Sequence, residues 1–280
     1  MRAGKGCTLI SRKVERYIEI TSKENPRFRS FAALHDRKVA RAQGKVFIEG
    51  LRLCEDALIS GLRPDAVLVR KGKEDLLGEW KMRFPVLADK EVFVFSENLF
   101  SKLAQTVNPQ GIALVVDSPK NDLKLAFDGK TTRFIVLEHL QDPGNMGTII
   151  RMADAFGYTA VLYTEDSVDP YNEKVLRASM GSVFHIPLVS FANAGDILDL
   201  LAANQVMSIG AHLLGEDLRS AKLPSRGALW IGNEANGLSV TTSSRCDILI
   251  KIPMPGRAES LNAASAASIL GYLLAFGLES

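Results

Sequence analysis

Short apolar runs alternate with stretches of helical periodicity along most of the chain. From Asn25 to Leu58 the order is helix, strand, helix. Asn25-Pro26 suits a helix start, and Phe28, Phe31, Leu34 and Val39 recur near helical spacing. Val46-Phe47-Ile48 reads as a strand, and from Gly50 a helix carries Leu51, Cys54, Leu58 and Ile59. Ala66–Val69, Val92–Phe95 and Ile112–Val116 are further β-rich runs separated by helical or turn-forming segments. The alternation predicts a compact α/β module over residues 23–118.

Residues 119–130 are polar, include Pro119 and Gly129, and read as a linker. Residues 1–22 are basic with no clear pattern and read as a poorly anchored extension. A second α/β series occupies residues 131–280. It begins with a strand at Phe134–Leu137, a helix from about Asn145 to Phe156 and a strand at Ala160–Tyr163. Pro187–Val189, Val206–Ile209, Ala228–Ile231 and Ile248–Ile252 follow, before a final helix. Strands this continuously apolar predict a parallel sheet covered on both faces. Leu261–Leu278 carries no charge over 18 residues, but its first half is small and polar. That composition predicts a helix buried in a core or a subunit interface, not a membrane span.

Charge sharpens the division. The chain is +2 overall, yet its first 52 residues hold 13 Lys or Arg against five Asp or Glu, leaving −6 for the rest. A basic front end on a mildly acidic body suits contact with RNA, although a solvated basic arm has the same composition. Arg27, Arg29, Arg37, Lys38, Arg41 and Lys45 are the candidate phosphate contacts. The three cysteines (Cys7, Cys54, Cys246) and four histidines (His35, His139, His185, His212) are scattered without metal-binding or disulfide spacing, so no metal is expected. The N-terminus has no apolar run of the secretory kind, and a reducing cytoplasmic home is expected.

Three segments of the second domain crowd glycines and polar residues at the carboxyl ends of predicted strands, where open α/β sheets bind ligands. In Glu138–Gly157 a strand ends, Asp142-Pro143-Gly144 turns, and a helix opens near Asn145; its apolar face leaves Arg151 pointing elsewhere. A plain strand–turn–helix, capped at Asn145 and bearing a surface arginine, has the same pattern. In Trp230–Leu238, Gly232 and Gly237 let backbone approach a ligand. The spacing matches neither the dinucleotide nor the Walker motif, which argues against a nucleotide-dependent oxidoreductase. Glu234 there reads as a catalytic acid, an anchor for loop amides, or an exposed side chain. In Ile252–Ala264 two prolines and a glycine set an irregular loop, with Ser260 and Asn262 as helix caps or ligands.

In this order and spacing the three segments resemble the SpoU/TrmH family of SPOUT RNA methyltransferases. The matching residues are Asn145, Gly147, Arg151 and Phe156-Gly157; Gly232-Asn233-Glu234 and Gly237; and Ile252-Pro253-Met254 with Ser260-Leu261-Asn262. Arg177-Ala-Ser-Met-Gly181 also resembles the family. The likeness covers about residues 131–277. Residues 25–117 are similar to the small substrate-binding domain of several members, most clearly at Gly44–Gly50. Ala263-Ala264 departs from the larger residues usual after Ser-Leu-Asn.

The resemblance implies a parallel-sheet domain with a C-terminal trefoil knot and a homodimer packed through the last helix. It implies S-adenosylmethionine held by loops containing Gly232, Asn233, Glu234, Gly237, Ile252, Pro253, Leu261 and Asn262. The implied reaction is 2′-O-ribose methylation of RNA, with ribosomal RNA favoured over tRNA. Arg151, Asn145, Glu234, Ser260 and Asn262 are the implied catalytic set. A non-catalytic RNA-binding or ribosome-assembly protein on the same fold, or a base methyltransferase of a sister family, are the alternatives.

Overall fold

The computed structural model describes residues 17–119, 123, 126–127 and 132–277. Residues 1–16 of the expected extension, and most of the expected linker, therefore lie outside the described residues. The first domain runs β1 (Tyr17–Ile20), α1 (Pro26–Ala33), α2 (Arg37–Gln43), β2 (Lys45–Glu49), α3 (Leu51–Ile59), β3 (Pro64–Arg70), α4 (Asp75–Arg83), β4 (Glu91–Phe95), α5 (Glu97–Leu103) and β5 (Ile112–Asp117). Its sheet order is β1-β4-β3-β5-β2, with β1, β4 and β3 parallel and β5 antiparallel to both β3 and β2.

Two expectations change here. Residues 17–20 are not loose: β1 pairs with β4 from Tyr17↔Val92 to Ile20↔Phe95, and Ile20 is buried. The helical pattern from Phe28 to Val39 is two helices. Asn25 caps the first by accepting from the Arg27 amide at 2.9 Å, with Pro26 in its first turn. Asp36 caps the second through the amides of Lys38 and Val39. Gly44 ends α2 in the left-handed region, at φ 61°, where a side chain would be strained.

The second domain runs β6 (Thr132–Leu137), α6 (Pro143–Ala155), β7 (Ala160–Thr164), α7 (Glu173–Ser179), β8 (Leu188–Phe191), α8 (Ala194–Ala203), β9 (Met207–Asp217), β10 (Arg226–Ile231), α9 (Val240–Arg245), β11 (Ile248–Lys251) and α10 (Ala263–Phe276). Six parallel strands take the order β11-β9-β10-β6-β7-β8. From β6 the chain winds one way through β7 and β8, then crosses to the other side. The crevice between β6 and β10 is thus a topological switch point, where ligands bind in such sheets.

Period-2 alternation divides each sheet between two cores. Ile135 and Leu137 face the core under α6 and α10, while Phe134, Val136 and Trp230 face the one under α8. In the first domain Phe93 and Phe95 pack with Phe28 and Phe31, and Val92 and Val94 join the opposite face. That opposite face is continuous with the α6 core, so one apolar layer joins both domains. Arg37 adds a polar tie: its Nε lies 3.1 Å from Oδ2 of Asp169, and its NH2 donates to the Glu165 carbonyl. Within the expected linker, Leu123, Ala126 and Phe127 pack on the α8 side, Phe127 against Phe134.

Two backbone features set up the site. Gly147, in the second turn of α6, lies so close to α7 that a Cβ would stand 2.5 Å from the Ala178 Cβ and 2.8 Å from the Val175 carbonyl oxygen. β9 is longer than the apolar run Val206–Ile209 suggests. Its pairing with β11 jumps from Gly210↔Leu249 to Glu216↔Ile250, which leaves Ala211–Gly215 as a bulge. Among the described residues no helix is long and apolar enough to cross a membrane, and no group of His, Cys, Asp and Glu is placed to hold a metal.

Candidate active site

Three segments far apart in sequence meet at the carboxyl edge of the second sheet. α6 is capped by Asp142, not Asn145: the Asp142 Oδ1 accepts the Asn145 amide at 2.7 Å, with Pro143 in the first turn. Asn145 is thereby freed to point inward, and it is buried at 7% exposure. Its Nδ2 donates to Oε1 of Glu234 at 3.2 Å, and its Oδ1 accepts from Nδ2 of Asn262 at 2.8 Å. Asn262 caps α10 at the same time, its Oδ1 accepting the Ala264 and Ser265 amides. Glu234, Asn145 and Asn262 thus form one hydrogen-bonded chain through all three segments, and the orientation of each amide follows from its neighbours.

Glu234 is the anchor left open by the sequence. It accepts the Gln141 amide at 3.1 Å and the Asp142 amide at 2.8 Å, besides the Asn145 side chain. Burial alone would raise its carboxyl. The backbone N–H groups of Asp142 and Gln141, with the Asn145 amide, outweigh that and hold it below the ordinary glutamate value. It is therefore an ionised clamp at neutral pH.

Its loop is closed by its own backbone. Asn233 and Gly237 exchange hydrogen bonds of 3.0 and 2.8 Å, and Oδ1 of Asn233 takes the Ala235 and Asn236 amides. Gly237 sits at φ 68°, and a Cβ on Gly232 would fall 2.1 Å from the Gly237 carbonyl carbon. Only glycine permits that fold-back.

Sequence reasoning passed over the residues beneath this loop. Glu138, buried at the end of β6, accepts the Ser239 amide (2.9 Å), the Ser239 hydroxyl (2.8 Å) and the Thr242 hydroxyl (2.6 Å). It ties the far end of the loop to the start of α9. His139, at φ 53°, gives its carbonyl to Nδ2 of Asn233 and bonds Asp166 through Nδ1 at 2.8 Å. An acid at the last position of an apolar strand was the available signal for Glu138.

Arg151 lies on the exposed side of α6 and makes no hydrogen bond or ion pair among the described residues. Ser260 is exposed, and Ile252 and Pro253 are half-buried. Among the described residues none of these four side chains makes a hydrogen bond to Glu234, Asn145 or Asn262. The basic residues of the first domain are largely engaged within the protein. Arg29 pairs with Glu24, Lys45 with Asp65 and Asp117, Arg37 with Asp169, and Arg27 reaches Glu91 at 3.8 Å over the Phe93 ring. Arg41 bonds the buried Tyr163. Lys38, exposed, has no such partner among the described residues.

The surroundings fit an adenosine-bearing cofactor. The backbone C=O groups of residues 253–261, and the N–H groups of those that are not proline, make no backbone–backbone hydrogen bond among the described residues. Leu261 (40% exposed) leaves an apolar side chain uncovered at the end of that segment, and the β9 bulge exposes Leu213 (59%) and Leu214 (87%). Open backbone groups beside uncovered leucines are what an aromatic base with polar edges requires.

Comparison with known proteins agrees with this geometry. Residues 132–272 match the SpoU rRNA Methylase family, and residues 25–114 match the MRM3-like substrate binding domain. The chain is 34% identical over 257 residues to the 23S rRNA (guanosine(2553)-2′-O)-methyltransferase RlmP of Bacillus subtilis, covering 91% of this chain and 98% of that one. It is 30% identical to the 23S rRNA (uridine(2479)-2′-O)-methyltransferase of Streptomyces viridochromogenes, covering 90% of each. The AdoMet-bound rRNA methyltransferase of Sinorhizobium meliloti superposes with a TM-score of 0.80 at 30% identity, over 92% of this chain and 97% of that one. AviRb of Streptomyces viridochromogenes in complex with AdoMet gives a TM-score of 0.81 at 28% identity, over 90% and 97%. With its three motif segments joined through Glu234, Asn145 and Asn262, and its relatives matched over nearly their full length, the chain belongs to the SpoU rRNA methylase family.

Proposed function

We propose that this protein transfers a methyl group from S-adenosylmethionine to a ribose 2′-hydroxyl of large-subunit ribosomal RNA. The hydrogen-bonded chain Glu234–Asn145–Asn262 carries the reading, because it holds two side-chain amides, the buried one of Asn145 and the exposed one of Asn262, in fixed orientation where three loops converge. The relatives acting on 23S rRNA, and the match of the first domain to a substrate-binding domain, favour ribosomal RNA over tRNA.

The residues that would hold the cofactor are those of the Gly232–Gly237 loop and of the 252–262 segment, through backbone groups and the leucine side chains. When bound, the cofactor supplies an electrophilic sulfonium methyl, so the protein's task is chiefly alignment. Asn145 and Asn262 orient the ribose, Glu234 and Ser260 organise the loops, and Arg151 takes the neighbouring phosphate and polarises the hydroxyl. A guanidinium is a poor base at neutral pH, so the proton passes to water or a phosphate oxygen. The knot belongs to the same reading. It is supported by the return of the chain from edge strand β11 to the middle of the sheet, where α10 packs on α6 and β10.

The protein acts as a homodimer through α10. Ile269, Tyr272 and Phe276 are uncovered on that helix, and Phe156 joins the two aromatic rings. Such a face suits a symmetric interface. Free Cys54 and Cys246 suit the reducing cytoplasm.

The test is to incubate the protein with tritiated-methyl S-adenosylmethionine and unmodified ribosomal RNA or tRNA. Label should appear in an alkali-resistant dinucleotide of large-subunit RNA. Label in tRNA alone would overturn the substrate, and label in neither would overturn the reaction.

A further inference from the structure

A second cavity, of about 390 Å³, opens where the two domains meet, away from the Glu234–Asn145–Asn262 chain. Its floor is apolar: Leu53 of α3, Leu176 of α7, and Met180 just past the end of α7. Met180 is held at φ 51° and is 43% exposed, an uncovered thioether on a fixed backbone. The seam itself is tight, because Gly181 approaches Asp56 so closely that a Cβ would stand 2.8 Å from its Oδ2.

The rim is polar, with two arginines and two carboxylates, Glu49 and Asp56. Arg52 and Arg177 contribute guanidiniums whose side chains are 77% and 51% exposed, paired locally with Asp56 at 4.0 Å and Glu173 at 2.8 Å. Glu49 is already used by the amides of Gln105 and Thr106 and the Thr106 hydroxyl. The loop after α5 adds two primary amides. Asn108 makes no hydrogen bond among the described residues. Gln110 spends its Oε1 on the Leu51 amide, which leaves its N–H2 group free for a ligand. Val107, just before Asn108, stands 96% exposed.

We propose that this cavity binds an unpaired nucleobase of the RNA substrate, at a position other than the methylated nucleotide. A flat aromatic face stacks on Met180 and the leucines, its polar edge meets the amides of Asn108 and Gln110, and its phosphates meet Arg52 and Arg177. Unpaired loop bases are what sequence-specific RNA binding reads. The cavity volume lies in the roughly 300–1,000 Å³ range of small-molecule sites. Because both domains line the cavity, the base also sets the register of the RNA between them. This gives a role to the Arg177–Gly181 stretch, which the catalytic chain does not use. The assignment rests on the RNA-methylating reading above.

Two measurements test it together. An unmodified large-subunit RNA transcript containing 4-thiouridine is photo-cross-linked to the full-length protein, and the labelled peptides are mapped. Steady-state methylation is measured for Asn108→Ala and Met180→Glu, with Met180→Leu as the conservative control. Cofactor affinity by calorimetry reports whether each variant is folded. The expected map includes residues 105–111 or 176–181. KM for RNA should rise about tenfold in the first two variants, the scale of losing one stacked base, and return in Met180→Leu. A map without either stretch, or an unchanged KM in both variants, overturns the proposal. If the wild-type protein methylates no RNA, the proposed reaction falls, and the cross-link map still decides the cavity.

Discussion

Replacing Asn145 with Asp tests whether the joined motifs depend on a neutral donor at this position. The side chains are nearly isosteric, so packing is conserved, but an oxygen replaces the nitrogen that lies 3.2 Å from Oε1 of Glu234. Two carboxylates at that separation repel by about 5 kcal/mol at an effective dielectric of 20 and by about 1 kcal/mol in bulk water. Glu234 is exposed, so solvent screening places the cost between these limits. The pair then holds a shared proton to higher pH than Glu234 alone, against the pull of the Asp142 and Gln141 amides. A raised pKa means that the protonated, donor-bearing arrangement is kept at low pH and lost as pH rises. Methyl transfer and cofactor affinity are measured from about pH 5.5 to pH 8.5 for both proteins. The variant should fall at least about tenfold below wild type at the alkaline end and recover part of the ratio at the acid end. A ratio that does not change with pH, or near-wild-type turnover at pH 8.5, would refute the coupling.

Gly147→Ala should lower Tm by several degrees in a calorimetric scan. Its Cβ would meet Val175 and Ser179 backbone, an overpacking cost of about 1–3 kcal/mol, and an unchanged Tm would refute the close α6–α7 contact. Glu138→Ala removes the acceptor for three donors, and should cost about 2–4 kcal/mol in urea unfolding while weakening cofactor binding. Glu234 has its carboxyl depressed in the folded state, so its stabilisation is complete above the unfolded value and disappears as pH falls through the folded one. Glu234→Gln should accordingly lose less stability than wild type between about pH 5 and pH 3. Arg37→Ala should change Tm little, since a half-exposed pair contributes about 1 kcal/mol or less, yet speed hydrogen exchange in residues 165–169.

Where one local rule decides the outcome, the elements are legible in the sequence. Asn25-Pro26 starts α1, and the apolar runs at 66–69, 92–95, 134–137 and 228–231 are strands within two residues of the expected ends. Tertiary pairing decides the rest. Tyr17–Ile20, only four residues at the end of a basic stretch, is too short to announce a strand, and exists because β4 offers an edge. The Ala211–Gly215 bulge depends on β11, nearly 40 residues further on. At the site, residue types at Asn145, Glu234 and Asn262 were readable, but their mutual hydrogen bonds span 89 and 117 residues. Local spacing likewise favoured Asn145 over Asp142 as the cap, because both can serve and only the fold chooses. The basic front end was read by charge alone, which does not show that Arg29, Arg37 and Lys45 already have acidic neighbours.

The bond between Asn145 and Asn262 also sets a timetable. The first of these residues is synthesised 117 positions before the second, and the last helix is capped by the residue that completes the centre. A growing chain that has passed Glu234 can assemble the anchor half of the site, with Gln141, Asp142 and Asn145 already clamped. Its loops lack the closing amide until residue 262 is made and α10 folds back over the sheet. Contacts of such separation are slow to form and exposed while they wait. A nascent chain that stops short of residue 262 therefore holds the Glu234–Asn145 half of the centre without the amide that closes it.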